Sequence, residues 1–381
     1  MFLYEIVFLL MIHQPVSIHF LPVTAHRLFY ATFILMLGII FQAYWQSITV
    51  IIGLNCLLVC IAIFKKNFLF FLFALAFSSG SFLYQRQINN HLTFYQQFGD
   101  TTSDLLITVN TIEKIEAKTT RYCILATIDQ AKLSISKTEW QKISGTIQMY
   151  MNSLPRFNVA DQIQLTAITL KKPSNPSFGD YLVKEGINTT IFLSNKDCTI
   201  IHRPHYSIIR RFFYYKQGLL NSFKTKLSSK TFGLFSSIFL GNRSFKKEWE
   251  TPKELCKTWG ISHFLARSGL HLIIFIFLWN FLLNLLPLPF FFKQGLFIVL
   301  VSMYVLLSWT SISFIRAFVS FLLYKLCIII KTPPQFLHLL TITTCCVLLY
   351  NPIQLFFLDF QLSFGLTYAL AWFNLINTQK K

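Results

Sequence analysis

Charged side chains are scarce, making up 13% of 381 residues, about half the share of an ordinary soluble domain. A purely soluble enzyme is excluded on that ground. Acids are scarcer still, at 15 against 34 lysines and arginines for a net charge of +19. In the apolar parts the only acids are Glu5 and Asp359, so an orienting acid for a hydrolase is confined there to Asp359. The eight cysteines contain no paired Cys-x-x-Cys pattern and the chain contains no His-x-His, so neither a thiolate zinc site nor any other metal or cofactor site is expected. A secretory leader is not expected either. The apolar first dozen residues have no basic start and no small-residue cleavage site, and Met1 to Pro22 reads as an interfacial segment.

Apolar residues are abundant, at 54% of the chain with 42 phenylalanines. Apolar runs near 28–45, 48–64, 67–84, 270–286, 294–310, 312–330, 336–350 and 355–376 approach the roughly 20 residues of a membrane-crossing helix. The expected fold is therefore a polytopic α-helical membrane protein of about eight spans, with a small extracytoplasmic β-barrel of the oligonucleotide-binding (OB-like) kind inserted in it. Four regions follow: membrane spans over 1–99, the β domain over 100–204, a basic amphipathic segment over 205–257, and a second membrane domain over 258–381. Arg27, Lys65, Lys66, Lys293, Lys331, Lys380 and Lys381 fall on one face of that topology, which the positive-inside bias makes cytoplasmic. The chain is then a multi-pass protein of the inner (cytoplasmic) membrane with residues 100–204 outside.

The middle region reads as five short strands, Leu105–Val109, Tyr122–Ile128, Thr146–Tyr150, Gln162–Thr169 and Thr189–Leu193, by alternation and turn spacing. Its near-neutral charge and few exposed-looking aromatics argue against a strong single-strand platform. Cys123 and Cys198 could bridge on an oxidising side of the membrane. Residues 205–257 carry a surplus of eight positive charges in a position that the topology does not explain. Lys224, Lys226, Lys230, Arg243, Lys246 and Lys247 are candidates for a polyanionic partner, either DNA or lipid head groups.

Ionisable groups inside spans are costly and face cavities or partners. Arg316, Asp359 and His271 all begin spans at the outer level, and an Arg316–Asp359 pair is expected to fix two of them. Gln361 and Ser363 cannot both share a helical face with Asp359, so at least one should bond between helices. His263 and His271, with Ser268 and Gly269 between them, could line one wall. Gly269 suits a helix break or close packing, and a hydrolase using His263, Ser268 and His271 is the alternative reading.

The run Gly260-Ile261-Ser262-His263-Phe264-Leu265-Ala266-Arg267-Ser268-Gly269-Leu270-His271 closely resembles the signature of the ComEC/Rec2 competence family. Leu240-Gly241-Asn242-Arg243, Ser313-Phe314-Ile315-Arg316-Ala317, Asn351-Pro352, Phe360-Gln361-Leu362-Ser363-Phe364 and Asn175-Pro176-Ser177-Phe178-Gly179-Asp180-Tyr181-Leu182 with Gly186-Ile187 follow the family's order. Asn242, Arg267 and Asn351 depart from its usual Asp, aliphatic residue and Asp. The resemblance implies an inner-membrane channel importing single-stranded DNA during transformation. Its partners would be single-stranded DNA, membrane lipid, a cytoplasmic DNA-translocating helicase, a separate nuclease and a second copy of the chain. It also implies a short form without the metallo-β-lactamase-like domain, leaving a shortened, non-transporting relative as a further alternative.

Overall fold

Between Thr102 and His202 the period-two alternation of branched apolar and polar residues builds one sheet. The strands of this computed structural model are β1 (Thr102–Glu116), β2 (Thr120–Leu133), β3 (Gln141–Met151), β4 (Gln162–Thr169), β5 (Thr189–Leu193) and β6 (Cys198–His202). The structure describes residues 23–45, 68–99, 101–116, 120–133, 140–171, 175–239, 269–308 and 311–379, with a few single positions besides. The chain divides into two units, Met1–Arg86 with Arg267–Lys381, and Gln87–Ala266.

In the second unit the strands run in the order β5-β3-β2-β1-β4-β6, with β3 and β5 parallel and the other pairs antiparallel. The expected barrel is corrected to an open mixed sheet. β6, which the sequence reading lacks, pairs with β4 and forms one edge, β5 forms the other, and among the described residues no pairing joins the two edges into a barrel. One face buries Leu105, Ile107, Val109, Ile124, Ala126, Ile147, Met149, Ile163 and Leu165, joined by Phe94 and Phe98. Each large side chain so buried contributes about 1.5–3 kcal/mol. These two phenylalanines lie near the end of α2 (Phe68–Phe98). On the same helix the Tyr95 hydroxyl donates to the Asn188 carbonyl at 2.5 Å, and burial pushes its pKa up.

The segment Asn175–Leu182 has a local physical reason. Asn175 caps α3 (Pro176–Glu185) by accepting from the Ser177 amide, Pro176 stands at the first turn, and Gly186 ends the helix at φ 69°, as expected of an Asn cap, an early proline and a left-handed glycine. The basic segment begins as α4 (Ile208–Lys226), capped by Ser207, and continues as α5 (Ser229–Ile238), capped by Ser228. Arg210 ties α4 to the turn before β4. It donates to the Val159 and Pro204 carbonyls and to the fully buried Asp161 carboxylate at 2.5 Å, whose other oxygen accepts from the Asn158 amide.

Cys123 and Cys198 are free thiols, so the expected bridge is not formed. They lie on β2 and β6 with β1 and β4 between them, roughly 14 Å apart at about 4.8 Å per strand, well beyond disulfide reach.

The first unit holds α1 (Val23–Trp45), the start of α2, α6 (Gly269–Asn284), α7 (Phe290–Leu307), α8 (Ile312–Ile330), α9 (Phe336–Tyr350) and α10 (Leu366–Gln379). α1 crosses α2 on small residues. A Cβ on Gly38 would stand 2.3 Å from the Phe77 carbonyl oxygen and one on Gly80 2.4 Å from that of Leu35, while Ser81 donates to the Gly38 carbonyl. About eight spans were expected. Among the described residues only α7 and α8 are long and apolar enough to cross a membrane. α6, at 16 residues, reaches about 24 Å, short of a hydrocarbon core of roughly 30 Å. The last apolar run is broken into short turns before α10. The expected span at 48–64 lies almost wholly outside the described residues.

Two outcomes follow. Asp161→Ala strands the Arg210 guanidinium, which is 22% exposed, and should destabilise the second unit by about 2–4 kcal/mol in urea unfolding, with faster hydrogen exchange in α4. Burial and the neighbouring Asp197 carboxylate push the Cys198 thiol up to about 11, leaving roughly one thiolate in a thousand at pH 8. Its alkylation without prior reduction should be slow there, rising about tenfold per pH unit up to that value; a mass change on reduction would contradict the free thiols.

Candidate polar site among the apolar helices

α8 presents two faces. Phe314, Phe321 and Lys325 recur at helical spacing and are buried. Ser313, Arg316 and Ser320 form a second, polar line.

Gly269, at the start of α6, lets that helix approach the polar line closely. A Cβ there would meet the Ser313 carbonyl oxygen at 3.0 Å and the Ala317 methyl at 3.2 Å. The expectation of close packing at Gly269 is thus given a contact.

Across from this line the chain runs from a short helical turn, Leu358–Phe360, into a π-turn over Gln361–Gly365 and then into α10. The Ser363 carbonyl accepts from side chains of two elements. The Thr367 hydroxyl donates to the Ser363 carbonyl at 2.6 Å, and the Arg316 guanidinium donates to the same carbonyl and to the Thr367 hydroxyl. The guanidinium carbon also lies 5.6 Å from the centre of the buried Phe364 ring. The Ser313 hydroxyl meets that of Ser363 at 3.2 Å. Of the pair Gln361 and Ser363, it is Ser363 that bonds between helices, whereas Gln361 donates locally to the Leu355 carbonyl.

Asp359 is exposed and stands four residues before Ser363, and His271 is half-buried in the first turn of α6. His263, Ser268, Arg243, Lys246 and Lys247 lie outside the described residues. Lys224 and Lys226 end α4 and Lys230 begins α5, all three exposed. Among the described residues no three His, Cys, Asp or Glu side chains converge as metal ligands.

The sequence reading missed several groups. Lys325 is 6% exposed as a residue; its ammonium donates to Gln294 at 2.9 Å and sits 4.4 Å from the Phe297 ring centre. A lone cation in an apolar run was the available signal. Hydroxyls add a second layer, with Ser320 meeting Thr343 at 3.2 Å and Thr344 meeting Tyr368 at 2.9 Å. Their buried threonines bond back to carbonyls one turn earlier, so sequence alone could not separate them from ordinary helix threonines.

Arg316→Ala removes two charge-assisted bonds and should lower the stability of these helices by about 2–3 kcal/mol. Arg316→Lys should recover only part of this, because an ammonium lacks the guanidinium's fork. Thermal unfolding in detergent reads both. Asp359→Asn, which leaves the bonds to Ser363 and Thr367 in place, should move the midpoint less than either.

Residues 238–380 match the family model described as Competence protein, a stretch that contains Gly269, Ser313, Arg316, Ser363 and Thr367. No curated protein and no solved structure matches the chain.

Proposed function

We propose, from the premise that residues 238–380 are a competence region of the ComEC/Rec2 type, that this chain passes single-stranded DNA through a cytoplasmic membrane. The match itself supports a role in DNA uptake and an association with membrane; the conduit is the finer reading. Its chief support is convergence: three segments that resemble the family far apart in sequence meet where Gly269 touches Ser313 and Ala317 and where Arg316 reaches Ser363 and Thr367. Residues held in this way are the parts a conduit must place against one another. α7 and α8 supply apolar length for crossing, and hydroxyls with one guanidinium supply a polar line where hydrocarbon alone would repel a strand.

In this reading residues 100–204 face outside, and Lys224, Lys226 and Lys230 meet DNA or lipid phosphate. A cytoplasmic helicase pulls the strand, a separate nuclease removes its complement, and copies of the chain can associate. His271 stands beside the strand's path, and the family match favours transport over hydrolysis.

The test follows labelled DNA into the cytoplasm. Deleting the gene should abolish internalisation. His271→Ala should reduce it at least tenfold with surface-bound DNA and the amount of protein in the membrane unchanged, and Arg316→Ala, which also loses stability, should reduce it at least tenfold per molecule in the membrane. Wild-type internalisation by both variants would overturn the conduit and leave a structural relative. Turnover of a substrate by purified protein, lost in His271→Ala, would install the hydrolase instead.

A further inference from the structure

The second unit holds a cleft of about 380 Å³ lined by residues of α2, α3, β2 and β3, within the roughly 300–1,000 Å³ of small-molecule sites. Gln87, Asn90 and His91 stand on α2 at helical positions i, i+3 and i+4, so they present one face to it. Thr127 of β2 and Thr146 of β3 are register partners on the sheet. Asn188 joins them from the turn by which the chain leaves α3 for β5.

Asn188 is fixed on three sides. Its carbonyl accepts from the Tyr95 hydroxyl at 2.5 Å, and its backbone amide donates to the Thr146 carbonyl at 2.7 Å. Its side-chain oxygen accepts from the Thr146 amide at 2.9 Å. Gly145 makes room for that oxygen, since a Cβ there would stand 3.1 Å from it and 3.3 Å from the Ile128 side chain. With the oxygen committed, the Asn188 NH2 group remains to donate. The exposed Asn90 amide and the half-buried Thr146 hydroxyl are bonded to no described residue.

The lining decides what this cleft can take. Among the described residues that form it there is no acid, no lysine or arginine, and no Phe, Tyr or Trp. Without a cation, a phosphate or carboxylate would shed water and gain no charge-assisted bond in return. One imidazole without a carboxylate or thiolate does not make the ligand set of a metal ion. A nucleobase is held by stacking on a ring, and none is present. An acyl chain would set amides and hydroxyls against hydrocarbon. An extended peptide adds to a sheet at its edge, whereas β2 and β3 are inner strands. The guest that fits is compact and neutral, with groups around its rim that both donate and accept. A pyranose ring has that chemistry: side-chain amides and hydroxyls match its hydroxyls, and Ile128 and Val183 offer apolar surface to its C–H face.

We propose that this cleft binds a neutral pyranose sugar, with Asn90, Asn188 and Thr146 bonding its hydroxyls. The inference goes beyond the conduit and does not depend on it.

The test uses the full chain in a detergent without a sugar head group and saturation-transfer NMR titrations. The probes are cellobiose, maltose, lactose and N,N′-diacetylchitobiose, with glucose 6-phosphate as the anionic counterpart. At least one neutral disaccharide should bind saturably, and glucose 6-phosphate at least tenfold more weakly. Asn90→Ala and Thr146→Val, which break no bond within the chain and should keep the thermal midpoint, should each weaken the sugar by about fivefold, one hydrogen bond being lost in each. Thr199→Val, on β6 and outside the cleft, should bind as wild type. Purified cell-wall glycan that displaces the disaccharide would make a surface polymer the source, and glycan that does not would leave a soluble sugar. Silence from all four disaccharides would overturn the site and leave the DNA reading untouched. Tighter binding of glucose 6-phosphate would overturn it too, as would cleft variants that bind like wild type or a Thr199→Val loss equal to theirs.

Discussion

The carbonyl of Ser363 lies in the run that leads into α10 and accepts from two side chains at once, the Thr367 hydroxyl one turn on and the Arg316 guanidinium of α8. A polar bond between helices in apolar surroundings is costly to leave unmade. Much of the first unit depends on that bond. It fixes the distance from α8 to the run that leads into α10, and the Ser313–Ser363 contact holds only at that distance. On the adjoining side of α8, α6 must come close enough for Gly269 to rest on Ser313 and Ala317. A side chain at Gly269 would hold α6 off, whereas a shorter cation at 316 would let α8 drift from the turn. The two residues set the spacing on two sides of one helix.

Much of this was legible in the sequence, and the parts that were not share a cause. Strands with strict alternation, such as Gln162–Thr169 and Thr189–Leu193, match the structure residue for residue. β6 escaped notice because Thr199, Ile200 and Ile201 lie on a thinly covered edge, where burial leaves no alternation to read. That missed strand is one of the two edges, and because β5 and β6 do not pair the sheet stays open. Span counting failed for a different reason. Apolar composition is shared by helices that cross a membrane and by helices that pack on one another, and α6, α9 and the broken run before α10 are too short or too interrupted for the first role.

The candidate site was half visible. Arg316, Gly269 and Ser363 stood out by chemistry or by resemblance, but their partners did not. Thr367 looks like any helix threonine until the fold brings it beside a guanidinium, and Gln294 looks like any polar residue near a helix start until Lys325 reaches it. Exposure of a ring is a property of register and of the helix laid beside the sheet, so composition alone does not show that Phe178 and Tyr181 stand exposed on a capped helix whose first turn Asn175 and Pro176 fix.

Charge sets the two units apart. In the described part of the first unit Asp359 is the only acid, while Arg316, Lys325, Lys293 and Lys331 carry positive charge. Such helices repel cations and attract a polyanion, and in a low-dielectric site the attraction is strong enough to trap a phosphate rather than pass it. The donors of Arg316 and Lys325 are instead engaged by a carbonyl, a hydroxyl, an amide and aromatic rings. These partners take up part of the hydrogen-bonding capacity of the two cations within the helices. The second unit differs: there Arg210 is committed to the Asp161 carboxylate and to two backbone carbonyls, so its charge is met as well as its donors.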